Sequence, residues 1–264
     1  DLTSLQREAN GRFGFSAKNT LGLAQALYEK HKVLTYPRTD SRHLPEDYIG
    51  TVKSTMEALN DTNNYQQFSK QVLKNGWVKP NKRIFDNTKI SDHFAIIPTG
   101  VIPKNLSEPE QKLYDLVTRR FLAVFFPPAE FLVTTRFTEV SGHQFKTEGK
   151  VMTNPGWLAI YGKESQTDDK DGANLVPVQK GEKVLTEKIT ANGLVTKPPA
   201  RYSEATLLSA MGGAGKLVDS DELRDAMAGK GLGTPATRAA IIEGLLTEKY
   251  LLREGRELIP TAKA

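Results

Sequence analysis

The hydrophobic period changes twice along this chain, and that pattern restricts the folds open to it more than any other feature. Over roughly the first 130 residues, apolar residues recur at helical spacing. Leu21, Ala24, Leu27 and Tyr28 follow the cap-capable Asn19 and Thr20. Pro45 suits the first turn of a helix carrying Tyr48, Ile49, Val52 and Met56. Ser107 and Glu110 have capping-box spacing ahead of Leu113, Leu116, Val117, Phe121 and Val124, and Pro127-Pro128 stops that helix. Residues 131–140 and 143–152 then alternate, with Ser141-Gly142 as the turn of a hairpin. Residues 157–161, 175–178 and 183–189 read as further strands around a polar loop at 164–174.

Helical spacing returns after Lys197-Pro198-Pro199-Ala200. Ser203 caps a helix over 204–211, which Gly212, Gly213 and Gly215 interrupt. Asp219 or Ser220 opens a second helix. Thr234, with Pro235 behind it, caps a third over 236–248. Residues 250–252 and 258–259 flank Glu254-Gly255 as a small hairpin. Helix, turn, helix, hairpin is the order of a winged helix. The fold class is therefore α+β, with helical blocks flanking a β-rich segment and a winged-helix order in the last block.

Composition removes several kinds of chemistry. With no Cys and 4 His among 264 residues, there is no disulfide framework, thiolate zinc site, iron–sulfur cluster or cysteine nucleophile. Lys and Arg outnumber Asp and Glu by 36 to 31, a net charge of +5. That excess, concentrated in the first half, permits an anionic partner without requiring one. No stretch approaches the roughly 18 apolar residues of a membrane span. The polar start, DLTSLQREANGR without Met, reads as neither a signal peptide nor a natural start, and a segment cut from a longer chain is the expectation. Asp168, Asp169 and Asp171 lack the Gly and distal Glu of a calcium loop and read as solvated.

The strongest local signal is Leu34-Thr35-Tyr36-Pro37-Arg38-Thr39-Asp40-Ser41. Pro37 forces Tyr36 out of helical geometry, so the ring sits on a stiff turn two residues before Arg38. A phenol there could attack a phosphate whose oxygens the guanidinium holds. The other reading is a half-buried Tyr with Arg38 paired to Asp40. Phe121, Phe125 and Phe126 fit a core better than a base-stacking platform.

These residues resemble a known family. Tyr36-Pro37-Arg38-Thr39-Asp40-Ser41 is similar to the active-site motif of type IA DNA topoisomerases. The Tyr-Pro form is closer to the topoisomerase III branch than to topoisomerase I, which usually has Met after the Tyr. Three further stretches agree in order. Leu2-Thr3-Ser4-Leu5-Gln6-Arg7-Glu8-Ala9 matches the preceding helix. Asp92-His93-Phe94-Ala95-Ile96-Ile97-Pro98-Thr99 matches the family's His-x-Ala-Ile-x-Pro segment. In the late helical domain the matches are Pro198-Pro199-Ala200-Arg201-Tyr202-Ser203-Glu204-Ala205 and Gly231-Leu232-Gly233-Thr234-Pro235-Ala236-Thr237-Arg238-Ala239.

The resemblance implies an enzyme that cuts and reseals one DNA strand through a 5′-phosphotyrosine, relaxing negative supercoils and decatenating. Tyr36 would be the nucleophile, Arg38 and His93 its phosphate-holding partners, and Arg201, Thr234, Thr237 and Arg238 contacts to single-stranded DNA. Thr234 is otherwise an ordinary helix cap, and His93 otherwise a structural hydrogen-bonder. The resemblance also implies three parts, with helical, winged-helix-like domains at residues 1–135 and 197–264 on either side of a β-rich part at 136–196. Residues 136–196 would belong to the arch around a DNA-sized hole. The family's Mg²⁺ is bound by an N-terminal Toprim domain, so no metal ligand is expected in this chain, and without that domain the segment would be inactive. A monomer in the bacterial cytosol, associated with the nucleoid, is implied. A non-catalytic single-stranded-DNA-binding module of the same architecture is the alternative. A metal-dependent nuclease would need a carboxylate or His cluster, for which the sequence offers no candidate.

Overall fold

The computed structural model describes residues 1–165, 175–227 and 231–264. The three expected parts collect into two compact units. One joins Asp1–Phe125 to Ala200–Ala264, and the other is Phe126–Pro199.

The first unit is built on eight helices among the described residues, and their ends follow local chemistry. Helix α1 (Leu2–Phe13) starts where the Ser4 amide donates to the Asp1 carboxylate at 2.7 Å, and ends at Gly14, with φ 71°. Helix α2 (Ala17–Glu29) is capped by Ser16, whose hydroxyl accepts from the Asn19 amide at 3.0 Å. The expected caps, Asn19 and Thr20, lie inside its first turn, and Thr20 is fully buried. Pro45 and a 3-10 turn, Glu46–Tyr48, lead into α3 (Ile49–Leu59), which packs on α4 (Gln66–Lys74). Helix α5 (Glu108–Ala123) carries the expected capping box, with the Ser107 amide donating to Glu110 at 2.8 Å. Its Leu113, Tyr114, Val117, Phe121 and Leu122 are buried. Phe121 and Phe125 meet edge-on at 5.5 Å inside this core, as expected of packing residues.

The C-terminal block contributes α6 (Glu204–Gly212), α7 (Asp221–Met227) and α8 (Pro235–Thr247), then a hairpin of β3 (Leu251–Glu254) and β4 (Glu257–Pro260), while β1 (Glu130–Val140) and β2 (His143–Asn154) belong to the second unit. Ser220 serves as the cap of α7, accepting from Leu223 at 3.4 Å. Leu208, Met211, Ala239 and Ile242 form a cluster with Ala17 of α2. Polar ties reinforce that packing. The buried Glu204 carboxylate accepts from the Ala17 amide at 2.6 Å and pairs with Arg253, and Asn10 accepts from the Ala205 amide at 3.2 Å. These bonds span nearly the whole sequence, which is why the first and last expected parts fold as one unit.

In the second unit β1 (Glu130–Val140) and β2 (His143–Asn154) pair antiparallel from Val140 opposite His143. Ser141 and Gly142, at φ 50° and 80°, make the two-residue turn that matches strand twist. Two expectations are corrected here. Residues 157–161 are not a strand but part of a 3-10 run, Gly156–Ser165. The turn is set by Gly156 at φ 48° and by the Trp157 amide donating to Pro127. Residues 175–178 and 183–189 form no strand. Their apolar residues have no ladder partner among the described residues, and a strand needs one to satisfy its backbone. Of the polar loop at 164–174, residues from 166 onward, including Asp168, Asp169 and Asp171, lie outside the described residues.

Candidate active site

Two short extended segments, remote in sequence, are laced together around Tyr36. After α2 the chain reverses, with the Val33 amide donating to Leu27 at 2.9 Å. Residues 33–35 then run antiparallel to residues 97–99. The Thr35 amide donates to Ile97, and the Thr99 amide to Val33. Val33 and Leu34 are buried, which anchors the strand from below.

Two threonines complete the lacing. The Thr35 hydroxyl donates to the Ala95 carbonyl at 3.2 Å and accepts from the Ile97 amide at 2.9 Å. The Thr39 hydroxyl donates to the His93 carbonyl at 2.8 Å and accepts from the Ser41 amide at 3.0 Å. The turn is also tied from the other side, where the Leu2 amide of α1 donates to the Thr39 carbonyl at 2.9 Å. Ser41 closes it through a 2.9 Å bond to Lys89.

This lacing brings His93 against Tyr36. The two rings lie 4.3 Å apart, centre to centre. On its other side Tyr36 meets Tyr28 of α2 at 5.5 Å, nearly perpendicular at 81°. Pro37 is buried, while Arg38 and His93 are exposed and Tyr36 is half-buried. The Tyr36 hydroxyl has no hydrogen-bond partner among the described residues. The alternative pairing of Arg38 with Asp40 does not form. Asp40 instead accepts from Ser91 at 3.3 Å, and Arg38 makes no ion pair among the described residues. The Tyr36 ring thus packs against the His93 imidazole, two residues before an exposed guanidinium that makes no ion pair among the described residues, and these are groups able to handle a phosphate.

The second set of residues divides. Thr234 and Thr237 are exposed at the start of α8, the Thr234 amide donating to the Thr237 hydroxyl at 2.9 Å. Arg201 is exposed on the approach to α6. Arg238 turns inward. It is 6% exposed and donates to the Leu232 carbonyl at 3.0 Å and the Thr3 hydroxyl at 3.1 Å. Burial lowers the pKa of its guanidinium. The first turn of α1 therefore touches both groups, through Leu2 to the Tyr36 turn and through Thr3 to the α8 turn.

Among the described residues no group of three or more His, Asp or Glu side chains could hold a metal ion. No helix among them is long and apolar enough to cross a membrane. Sequence reasoning missed Thr35, Thr39 and Tyr28. The threonines' bonds reach across about 60 residues and leave no local trace, and Tyr28 reads as one more apolar position of its helix.

A profile of the DNA topoisomerase family matches residues 1–264, and the chain belongs to that family. Within it the resemblance is to bacterial topoisomerase III. The chain is 43% identical over 270 residues to DNA topoisomerase 3 of Bacillus licheniformis and 42% over 272 to that of Bacillus subtilis. Each match takes in 100% of this chain and 37% of the relative, so the chain spans a little over a third of these relatives' length. The full-length topoisomerase I of Thermotoga maritima superposes with a TM-score of 0.64 over 99% of this chain and 39% of that one. At 23% identity that likeness establishes the type IA fold alone.

Proposed function

We propose that this chain is a central segment of a type IA topoisomerase and that Tyr36 is its nucleophile. The observation that carries the reading is the Tyr36 hydroxyl, free of hydrogen bonds among the described residues, on a ring packed against the exposed His93 and two residues before Arg38, which makes no ion pair among them. In the proposed step the phenol oxygen bonds to phosphorus and the 3′ oxygen of the broken strand leaves. The phenol proton is delivered to that oxygen. A 5′-phosphotyrosine and a free 3′-hydroxyl result, and the reverse attack reseals the strand. Arg38 would hold the scissile phosphate and offset charge in the transition state, with His93 as a second contact.

Thr234, Thr237 and Arg201 are assigned to the single strand next to the cut, where the start of α8 favours a phosphate. Arg238 supports that turn from beneath. Mg²⁺ and the proton-transfer groups are assigned to a Toprim domain outside this chain, in keeping with its coverage of about 37% of the relatives. The segment alone is inactive on this reading, and the whole enzyme acts as a monomer in the cytosol on single-stranded or negatively supercoiled DNA.

The test uses the full-length enzyme containing this chain and an end-labelled single-stranded oligonucleotide. After a denaturing quench and digestion, mass spectrometry is expected to find a nucleotide on Tyr36 that is lost in Tyr36→Phe. Intact DNA binding without any adduct would return the chain to a non-catalytic binding module. Affinity for the oligonucleotide is expected to fall with salt, because phosphate contacts release counterions.

A further inference from the structure

A tyrosine that attacks phosphorus has two needs that pull against each other. Its ring must be held in one rotamer, so that the oxygen lies in line with the leaving group. Its oxygen must keep a lone pair free of accepted hydrogen bonds, because that pair forms the new bond to phosphorus. Tyr36 meets the second need, since its hydroxyl is unbonded among the described residues. The first must then be met through the ring, which two aromatic side chains contact among the described residues.

Those contacts are unequal. His93 is exposed and belongs to a loop, held through its carbonyl by Thr39 and not through its imidazole. If His93 turns toward a phosphate, its hold on Tyr36 changes with it. Tyr28 is different. It lies in the last turns of α2, half-buried, beside the fully buried Leu27. The Leu27 carbonyl accepts from the amides of Val33 and Leu34, so Tyr28 and the strand carrying Tyr36 are fixed to the same backbone. The Lys32 amine lies 5.7 Å from the centre of the Tyr28 ring, a second contact on that ring.

We propose that Tyr28 is a positioning residue, whose ring, set edge-to-face against Tyr36 at 5.5 Å, holds the nucleophile in its reactive rotamer. This inference rests on the reading of Tyr36 as nucleophile. It assigns the effect to the Tyr28 ring and gives its hydroxyl no part in the chemistry.

The experiment measures single-turnover cleavage of an oligonucleotide by the full-length enzyme, with binding affinity and thermal midpoint measured in parallel. Tyr28→Phe keeps the ring and is expected to cleave within about twofold of the parent. Tyr28→Leu keeps most of the volume without the ring, and its cleavage is expected to slow about threefold to tenfold with affinity unchanged. Tyr28→Ala should match Tyr28→Leu. If Tyr28→Ala does not fold, Tyr28→Leu and Tyr28→Phe carry the test. Parental cleavage by Tyr28→Leu would overturn the inference. So would an equal loss in Tyr28→Phe, which would move the effect to the hydroxyl, or a matching loss of affinity, which would make Tyr28 a DNA contact. Tyr36→Phe is run beside them. An adduct persisting there overturns the nucleophile reading itself, whereas its loss there with Tyr28→Leu unaffected overturns only the role given to Tyr28.

Discussion

Arg238 shows how one side chain's burial changes what its motif can mean. Beside Thr234 and Thr237 it reads as a phosphate contact, yet its guanidinium is committed to the Leu232 carbonyl and the Thr3 hydroxyl. Arg238→Ala would leave both acceptors unpaired, which is expected to cost about 1–3 kcal/mol of stability. Arg238→Lys keeps the charge but not the planar fork, and should recover only part of that. Denaturant titration checks this. Unchanged stability with lost oligonucleotide affinity would restore the direct contact. Gly231 in the same turn has φ 65°, and an added Cβ would lie 2.2 Å from the Met211 carbonyl. Gly231→Ala is therefore expected to destabilise the protein by more than the roughly 1 kcal/mol of positive φ alone, measured by thermal unfolding.

At the scale of elements, helix ends do the joining. The Glu110 carboxylate, in the first turn of α5, is held below the usual carboxylate range. The Ser107 hydroxyl is the largest cause, followed by the Ser107 amide, with His31 adding to it at 3.1 Å. Because the folded pKa is lower than the unfolded one, this stabilisation is present above about pH 4.5 and is lost as pH falls through the folded value. The thermal midpoint of Glu110→Gln should thus lie below the parent's near neutrality, with the gap closing on acidification. A gap constant from about pH 6 to pH 3 would assign the effect to shape and not to charge. Glu204 likewise ties α6 to the start of α2 and to Arg253 of β3. Glu204→Ala leaves a buried amide and a guanidinium short of a partner, an expected loss of about 3 kcal/mol by denaturant titration.

The same elements show which structure is legible in a linear sequence. The Ser107 capping box, the Ser141-Gly142 hairpin and the Thr234-Pro235 helix start lie within four residues of their causes, and all appear where the spacing puts them. The strands expected at 175–178 and 183–189 do not, since alternation states a preference and a strand also needs a neighbour.

For the whole molecule, the division into two units leaves an unusual hairpin. Leu132, Val133 and Phe137 of β1 are 60%, 59% and 62% exposed, and among the described residues β1 and β2 pair only with each other. A two-stranded ribbon with apolar side chains in water is marginal by itself. The isolated chain is expected to bind a hydrophobic dye such as ANS, and the Leu132→Thr, Phe137→Thr double variant to lose much of that signal. Dye binding unchanged by the pair would place the accessible apolar surface elsewhere.

By itself the sequence determined the local elements, the change of period along the chain, and a Tyr-Pro-Arg turn whose resemblance pointed to the right family. Each depends on neighbours a few residues apart, where propensity, capping and proline sterics act directly. Tertiary structure alone decided that Arg38 makes no ion pair among the described residues while Arg238 is buried, that Thr35 and Thr39 lace His93 against Tyr36, and that Glu204 and Asn10 join the two ends of the chain in one unit. Those outcomes depend on which groups meet across about 50 to 235 residues, and burial and hydrogen bonding are settled only when the chain closes on itself.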